Sequence, residues 1–152
     1  MKIKKWTECD IIPYEVLLLA DPDQEEVNRY FFQSDVFLLI ESECICGVVC
    51  IQNKEDCSEI INIAVLPAYQ NKNYGKKLLQ YAITYAGELN QSTLLVKTAN
   101  SSIQALAFYQ KAGFRMVEII PNYFTQHYSE PIFENGILAQ DQIVLKFLIN
   151  EN

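Results

Sequence analysis

Gln70-Asn-Lys-Asn-Tyr-Gly-Lys76 is a polar run between an apolar, strand-like segment ending at Leu66-Pro67 and a helix-like stretch beginning Lys77-Leu78-Leu79. A strand, a loop and a helix start in that order expose backbone N–H groups at the positive end of the helix dipole, where phosphate binds well. Lys72 and Lys76 add charge, and Gly75 lets the backbone come close to a ligand. Spacing alone does not separate this anion cradle from an ordinary strand-to-helix connection with exposed lysines. Neither G-x-G-x-x-G nor G-x-x-x-x-G-K-[ST] occurs, so dinucleotide and Walker loops are excluded. The single histidine, His127, is by residue type a candidate base, although a lone His in an aromatic loop also reads as a surface residue. Cys44, Cys46 and Cys50 fall on one face if their strand is regular, match no zinc spacing and read as small buried residues. No metal is expected.

The elements that must position these groups follow from periodicity. Lys2–Trp6 reads as a first strand, and Asp10 is a candidate cap for a helix in Ile11–Ala20. Asp23 with Glu26 reads as a capping box for a second helix through Val27, Tyr30 and Phe31. Val36–Ile40, Cys44–Ile51 and Cys57–Leu66 form a three-stranded meander that feeds the loop. Leu78, Leu79, Ala82, Ile83 and Ala86 make one apolar helical stripe, with Gly87 and Asn90 marking its end. Thr93–Val96 is the next strand, completing a β-α-β unit. Ile103–Ala112 is a helix stopped by Gly113, Phe114–Ile120 a strand, and Asp141–Ile149 the last strand. Between them, Pro121–Gln140 is aromatic-rich, with an Asn135-Gly136 turn.

The chain has 152 residues, half of them hydrophobic, with a net charge of −7 and a pI near 4.7. That length suits one domain, 1–152, with a sufficient core. The acidic balance argues against a nucleic-acid partner and is compatible with an amine substrate. No signal-like or membrane-length apolar run occurs, so no membrane partner is expected. Five cysteines, an odd number, fit a reducing cytoplasm rather than a disulfide framework.

Two segments carry a family resemblance. Ile63-Ala-Val-Leu-Pro-Ala-Tyr-Gln70-Asn-Lys-Asn73-Tyr-Gly75 resembles the acetyl-CoA signature of the GNAT N-acetyltransferase superfamily, Gln/Arg-x-x-Gly-x-Gly/Ala after a strand. Asn73 stands where the first glycine usually does, and Asn is the residue that best tolerates a left-handed turn after Gly. Ala105-Leu-Ala-Phe-Tyr109-Gln-Lys-Ala-Gly113-Phe114 is similar to the second hallmark, Ala-x-x-x-Tyr-x-x-x-Gly-Phe. The resemblance spans roughly Phe37–Ile120.

The resemblance implies an α+β fold with a mixed, splayed central sheet of about seven strands flanked by helices. It implies acetyl-CoA as co-substrate, with Ile63, Ala64 and Val65 along pantetheine and the acetyl group. Asn71, Lys72, Asn73, Tyr74, Gly75 and Lys76 would lie at the pyrophosphate, and Asn100 or Ser102 would contact coenzyme A. Tyr109 is implied as the acid that protonates the leaving sulfur, and Glu59 as a base or water-binding carboxylate. Tyr30, His127 and Glu134 are candidates for the acceptor side. The chain also resembles ribosomal-protein N-terminal acetyltransferases, whose glutamate base twelve residues before the tyrosine is replaced here by Lys97. A lysine cannot take that role at neutral pH, which argues against that subtype. The expected function is acetyl transfer to a primary amine of a small molecule by direct attack in a ternary complex. A protein or peptide acceptor and a non-catalytic acyl-CoA sensor are the alternatives. The motifs fit a monomer or a homodimer.

Overall fold

A computed structural model describes residues 1–149. Its elements are β1 (Lys2–Lys5), α1 (Tyr14–Ala20), α2 (Gln24–Phe31), β2 (Asp35–Glu41), β3 (Cys44–Asn53), β4 (Cys57–Val65), α3 (Tyr74–Glu88), β5 (Thr93–Ala99), α4 (Ile103–Lys111), β6 (Arg115–Ile120), α5 (Tyr123–His127), β7 (Phe133–Glu134), β8 (Ile137–Leu138) and β9 (Gln142–Leu148). Seven strands form one mixed sheet in the order β1-β2-β3-β4-β5-β9-β6, and β7-β8 is a separate hairpin. Only β4 and β5 pair in parallel, as the β-α-β unit requires.

Helices pack on both faces of the sheet around β2–β5. Phe37, Leu39, Val49, Ile51 and Leu94 pack with Leu78, Leu79, Ala82 and Ala86 of α3. Val36, Leu38, Val48 and Cys50 pack on the other face with Val16 and Leu17 of α1 and Val27 and Phe31 of α2. A strand buried on both faces needs apolar residues at every position, which is why Val36–Leu39 is a continuous apolar run. Helix α3 lies close against β3 at Gly47, where a Cβ would meet Leu78 Cδ1 at 3.0 Å.

Several local expectations change. Asp10 caps no helix; its carboxylate instead accepts from the Thr7 N–H and pairs with Lys4 at 2.9 Å. Asp23 does cap α2, accepting from the Glu25 and Glu26 N–H groups, but Glu26 pairs with Arg29 rather than closing a box. Gly87 lies within α3, and the residue that ends that helix in a left-handed conformation is Asn90, at φ 60°. Cys44, Cys46 and Cys50 do not share a face. A bulge in β3, where Leu39 pairs with Gly47 and Ile40 with Ile45, leaves Cys46 as the extra residue. That shift puts Cys46 in the α3 core and Cys50 in the α1/α2 core, while Cys44 is exposed. Burial pushes the Cys50 thiol up to about 12, which makes it chemically inert.

A second bulge shapes the site. Cys50 pairs with Asn62 and Ile51 with Ile60, so Ile61 is the extra residue of β4. The bulge sends Asn62 toward the helices of the α1/α2 face, where its Nδ2 donates to Leu17 O at 3.0 Å and to the Tyr30 hydroxyl at 2.8 Å. Asn62 thereby ties the two N-terminal helices to the bulge. Asn62→Ala removes both bonds, while Leu17 O keeps the one from the Asp21 N–H. The expected cost is about 1–2 kcal/mol, read as a lower midpoint in urea with an unchanged slope.

Candidate active site

The site starts where two strands part. β4 pairs with β5 only from Cys57–Ile60 to Thr93–Val96. Beyond Ile60, β4 continues on β3 to Val65, whereas β5 continues on β9 to Ala99. A bulge bends its strand and raises the local twist, so the extra residue Ile61 at the point of divergence gives the opening its cause. Beyond it, one edge of β4 has no neighbouring strand, and its backbone groups are available to a ligand.

A cleft of about 1060 Å³ runs from this edge across the start of α3 to α4. Ile63, Ala64 and Val65 line it on one side, Asn71, Asn73, Tyr74, Gly75 and Lys76 at the loop, and Ala105, Phe108 and Tyr109 on α4. Pro67–Tyr69 forms one 3-10 turn after β4, and Gln70 reaches back to donate from Nε2 to Val65 O at 3.1 Å. Asn71 and Asn73 then adopt left-handed conformations, at φ 69° and 62°. Asn73 therefore performs the turn that a glycine would, and it is the N-cap of α3. After Gln70, the first N–H to find a backbone acceptor among the described residues is that of Lys77, on Asn73 O. This leaves a run of donors at the positive end of a 15-residue helix, a good fit for a pyrophosphate. A Cβ at Gly75 would meet only the Phe108 ring, at 3.6 Å, so a larger side chain would grow into the cleft.

Lys72 does not line the cleft. Its Nζ lies 3.1 Å from Glu41 Oε2, and the Tyr74 hydroxyl donates to Glu41 Oε1 at 2.5 Å. The Tyr74 hydrogen bond first and Lys72 second hold the Glu41 carboxyl below its usual range, and the bond to Glu41 with burial pushes the Tyr74 phenol up to about 12. Glu41 at the end of β2 thus fixes the loop from behind.

Tyr109 occupies the last turn of α4. The Phe114 N–H bonds Tyr109 O and the Gly113 N–H bonds Gln110 O, both at 3.0 Å, with Gly113 at φ 101°. This is a Schellman end, and it accounts for the Tyr-x-x-x-Gly-Phe spacing. The Tyr109 ring packs against Phe108 and Phe114. Burial pushes its phenol up to about 12, so the hydroxyl carries its proton throughout the physiological range.

A smaller cleft of about 340 Å³ adjoins the first through Tyr109, Ile63, Ala105 and the α1 end, Leu19-Ala20. Lys97, Thr98, Ser102, Gln104 and Glu134 also line it. Glu134 arrives on the β7-β8 hairpin, whose Asn135-Gly136 turn has φ 55° and 73°, the two positive values of a type I′ turn. Its carboxylate accepts from the hydroxyls of Ser101 at 3.2 Å and Ser102 at 2.9 Å.

The other expected site residues lie elsewhere. Asn100 uses its side-chain amide to clamp the tail, donating to Leu138 O and accepting from the Gln140 and Asp141 N–H groups. Tyr30 is buried beneath Asn62, and neither cleft is lined by it. His127 is on the surface of α5, stacked on Tyr123, with Nδ1 2.7 Å from Tyr123 O. Glu59 is 7% exposed and lines neither cleft; its Oε1 lies 3.1 Å from Lys54 Nζ and 3.5 Å from Lys97 Nζ. Leu19, Ala20, Thr98 and Gln104 carry no motif and reach the site by tertiary packing alone. Asn62 did leave a signal: it is a polar residue inside the apolar run Ile60–Val65.

The family model described as the Acetyltransferase (GNAT) family matches residues 4–114, and the chain belongs to that family. It is 40% identical over 146 residues to the uncharacterized N-acetyltransferase YvbK of Bacillus subtilis strain 168, covering 95% of this chain and 94% of that protein. It superposes with a TM-score of 0.93 on a GNAT family acetyltransferase from Elizabethkingia anophelis with acetyl-CoA bound, 37% identical, over 97% of each chain. A Bacillus subtilis acetyltransferase in complex with CoA gives a TM-score of 0.92 at 36% identity, over 97% of this chain and 98% of that one. The protein has the GNAT fold and is an N-acetyltransferase that uses acetyl-CoA.

The left-handed Asn73 makes a specific demand on the loop. Asn73→Gly is expected to keep acetyl-CoA affinity within about threefold, because glycine adopts the same φ freely. Asn73→Val should weaken it about tenfold or more, since a β-branched residue pays on the order of 1–2 kcal/mol there. Calorimetric titration with acetyl-CoA checks both.

Proposed function

We propose that the protein acetylates a primary amine of a small molecule by direct attack on acetyl-CoA in a ternary complex. The observation that carries the reading is the smaller cleft. At about 340 Å³, closed on one side by the C-terminal end of α1 and on another by the Glu134 hairpin, it has room for a compact acceptor rather than for an extended peptide. The five cysteines are free, which suits a reducing compartment such as the cytoplasm.

In this reading, acetyl-CoA lies in the larger cleft, with its pyrophosphate on the N–H groups of Asn71–Lys76 and its pantetheine arm along the free edge of Ile63–Val65. The amine enters by the smaller cleft. An ammonium has no lone pair, so a proton must leave before attack. Glu134 is the carboxylate that faces the cleft directly, and it accepts that proton itself or through water. Glu59 lies behind Lys97, so a proton reaching it must travel by water, and the side chain acts chiefly by holding Lys97 in place. The amine nitrogen bonds to the acetyl carbon, and the charge that builds on the carbonyl oxygen is met by a backbone N–H of the β4 edge. The carbon–sulfur bond then breaks. Tyr109 gives its proton to the departing sulfur, coenzyme A leaves as the thiol, and the proton still held in excess by the new amide nitrogen passes through water to the Tyr109 phenolate, restoring the phenol.

Thiol release over an amine panel tests the reaction, and the reading fails if acetyl-CoA binds and no small amine is turned over. Tyr109→Phe keeps the packing and removes the proton. Turnover is expected to fall about 10²-fold, the low end for a general acid because a thiolate is already an acceptable leaving group, with acetyl-CoA affinity nearly unchanged. Single-turnover kinetics, which isolate the chemical step, provide the check. A rate equal to that of the unsubstituted enzyme removes Tyr109 from the role.

A further inference from the structure

Lys97 is the part of the acceptor cleft that the transfer reaction leaves without a task. It follows Val96, the last residue of β5 to pair with β4, so it stands at the fork of the splay and lines the smaller cleft with Tyr109 and Glu134. We infer that Lys97 selects acceptors that carry an anionic group, a carboxylate in the first instance, near the amine that is acetylated. The inference rests on the acetyl-transfer reading above and names the substrate class of the same cleft.

Charge accounting carries the argument. Glu59 is a nearly buried carboxylate with two ammonium groups on a single oxygen, Lys54 at 3.1 Å and Lys97 at 3.5 Å. One negative charge between two positive ones leaves a surplus of +1. Lys54 does not line the cleft, whereas Lys97 does, so the surplus is presented to the acceptor. The anion on the facing wall, Glu134, is held by the Ser101 and Ser102 hydroxyls, and among the described residues Lys97 forms no ion pair except with Glu59. An ammonium has three donors, and this one has a single partner. Anchored by Glu59 at its back, Lys97 is a pre-positioned donor with capacity to spare. In a chain of net charge −7, a small cleft with a surplus cation on one wall and a carboxylate on the other matches a molecule bearing both an amine and an acid. The acid goes to Lys97, and the amine lies toward Glu134 and Tyr109.

The test compares amino acids with their carboxamides, such as β-alanine with β-alaninamide and phenylalanine with phenylalaninamide. Two readouts are used: thiol release, and calorimetric titration of the CoA-loaded protein, which needs no turnover. The acid is expected to bind more tightly than the amide. In Lys97→Met that preference should fall about tenfold or more, the size of one charge-assisted hydrogen bond. Lys97→Arg should keep most of it, and Lys97→Glu should favour the amide. Coenzyme A titration and thermal melting identify any variant that has lost its fold, in which case the acid-to-amide ratio of the unsubstituted protein decides. A ratio at or below one there overturns the inference, as does an unchanged ratio in Lys97→Met or the absence of measurable binding by any acid. Amines turned over with no acid preference would sink the role of Lys97 and leave the transferase reading standing. Acids bound through Lys97 without any turnover would do the reverse.

Discussion

The parting of β4 from β5 is the constraint on which the rest of this structure depends. Two parallel strands that stayed paired would satisfy each other's backbone groups and leave nothing for a substrate. One extra residue, Ile61, bends β4 at the point where pairing ends. The free strand edge, the fork holding Lys97 and the gap spanned by the two clefts all follow from that bend. Asn62 secures it from behind by joining the bulge to α1 and α2.

The two ends of the site use different electrostatics. The loop before α3 presents mainly backbone dipoles, and one of its lysines, Lys72, is taken by an acidic partner: Glu41 holds both it and the Tyr74 hydroxyl. At the smaller cleft the balance is made by side chains, with Glu59 placed between Lys54 and Lys97 and Glu134 held by serines. In both places a carboxylate outside the clefts fixes a lysine at an otherwise flexible position. Between them lies Tyr109, whose phenol is pushed up by burial alone rather than by the charges at either end.

Whereas β9 itself is part of the central sheet, the segment between β6 and β9 brings Glu134 to the smaller cleft. Its Asn135-Gly136 turn makes a hairpin too short to be stable alone, and it is held by side chains of the segment before α4. Asn100 fixes Leu138, Gln140 and Asp141, while Asn135 donates to Ser101 O and exchanges hydrogen bonds with the Gln104 amide. Asn100 thus holds the hairpin that carries Glu134, and Ser102 lines the same smaller cleft.

Much of the fold was legible in the residues themselves. The continuous apolar run at Val36–Ile40, the stripe Leu78-Ala82-Ala86 and the alternation leading to Pro67 are local patterns, and each became the expected element. The left-handed turn at Asn73 and the helix stop at Gly113 were legible for the same reason, since both are matters of neighbouring residues. Both bulges escaped, because an extra residue in a strand is defined only by the register of its partner. With them went the faces of the cysteines and the position of Asn62. The lining of the smaller cleft was equally invisible. Leu19, Lys97 and Glu134 lie far apart in sequence and share no spacing, so only the packing of α1, β5 and the hairpin around the fork made them neighbours, and only there does the charge of Lys97 acquire a direction.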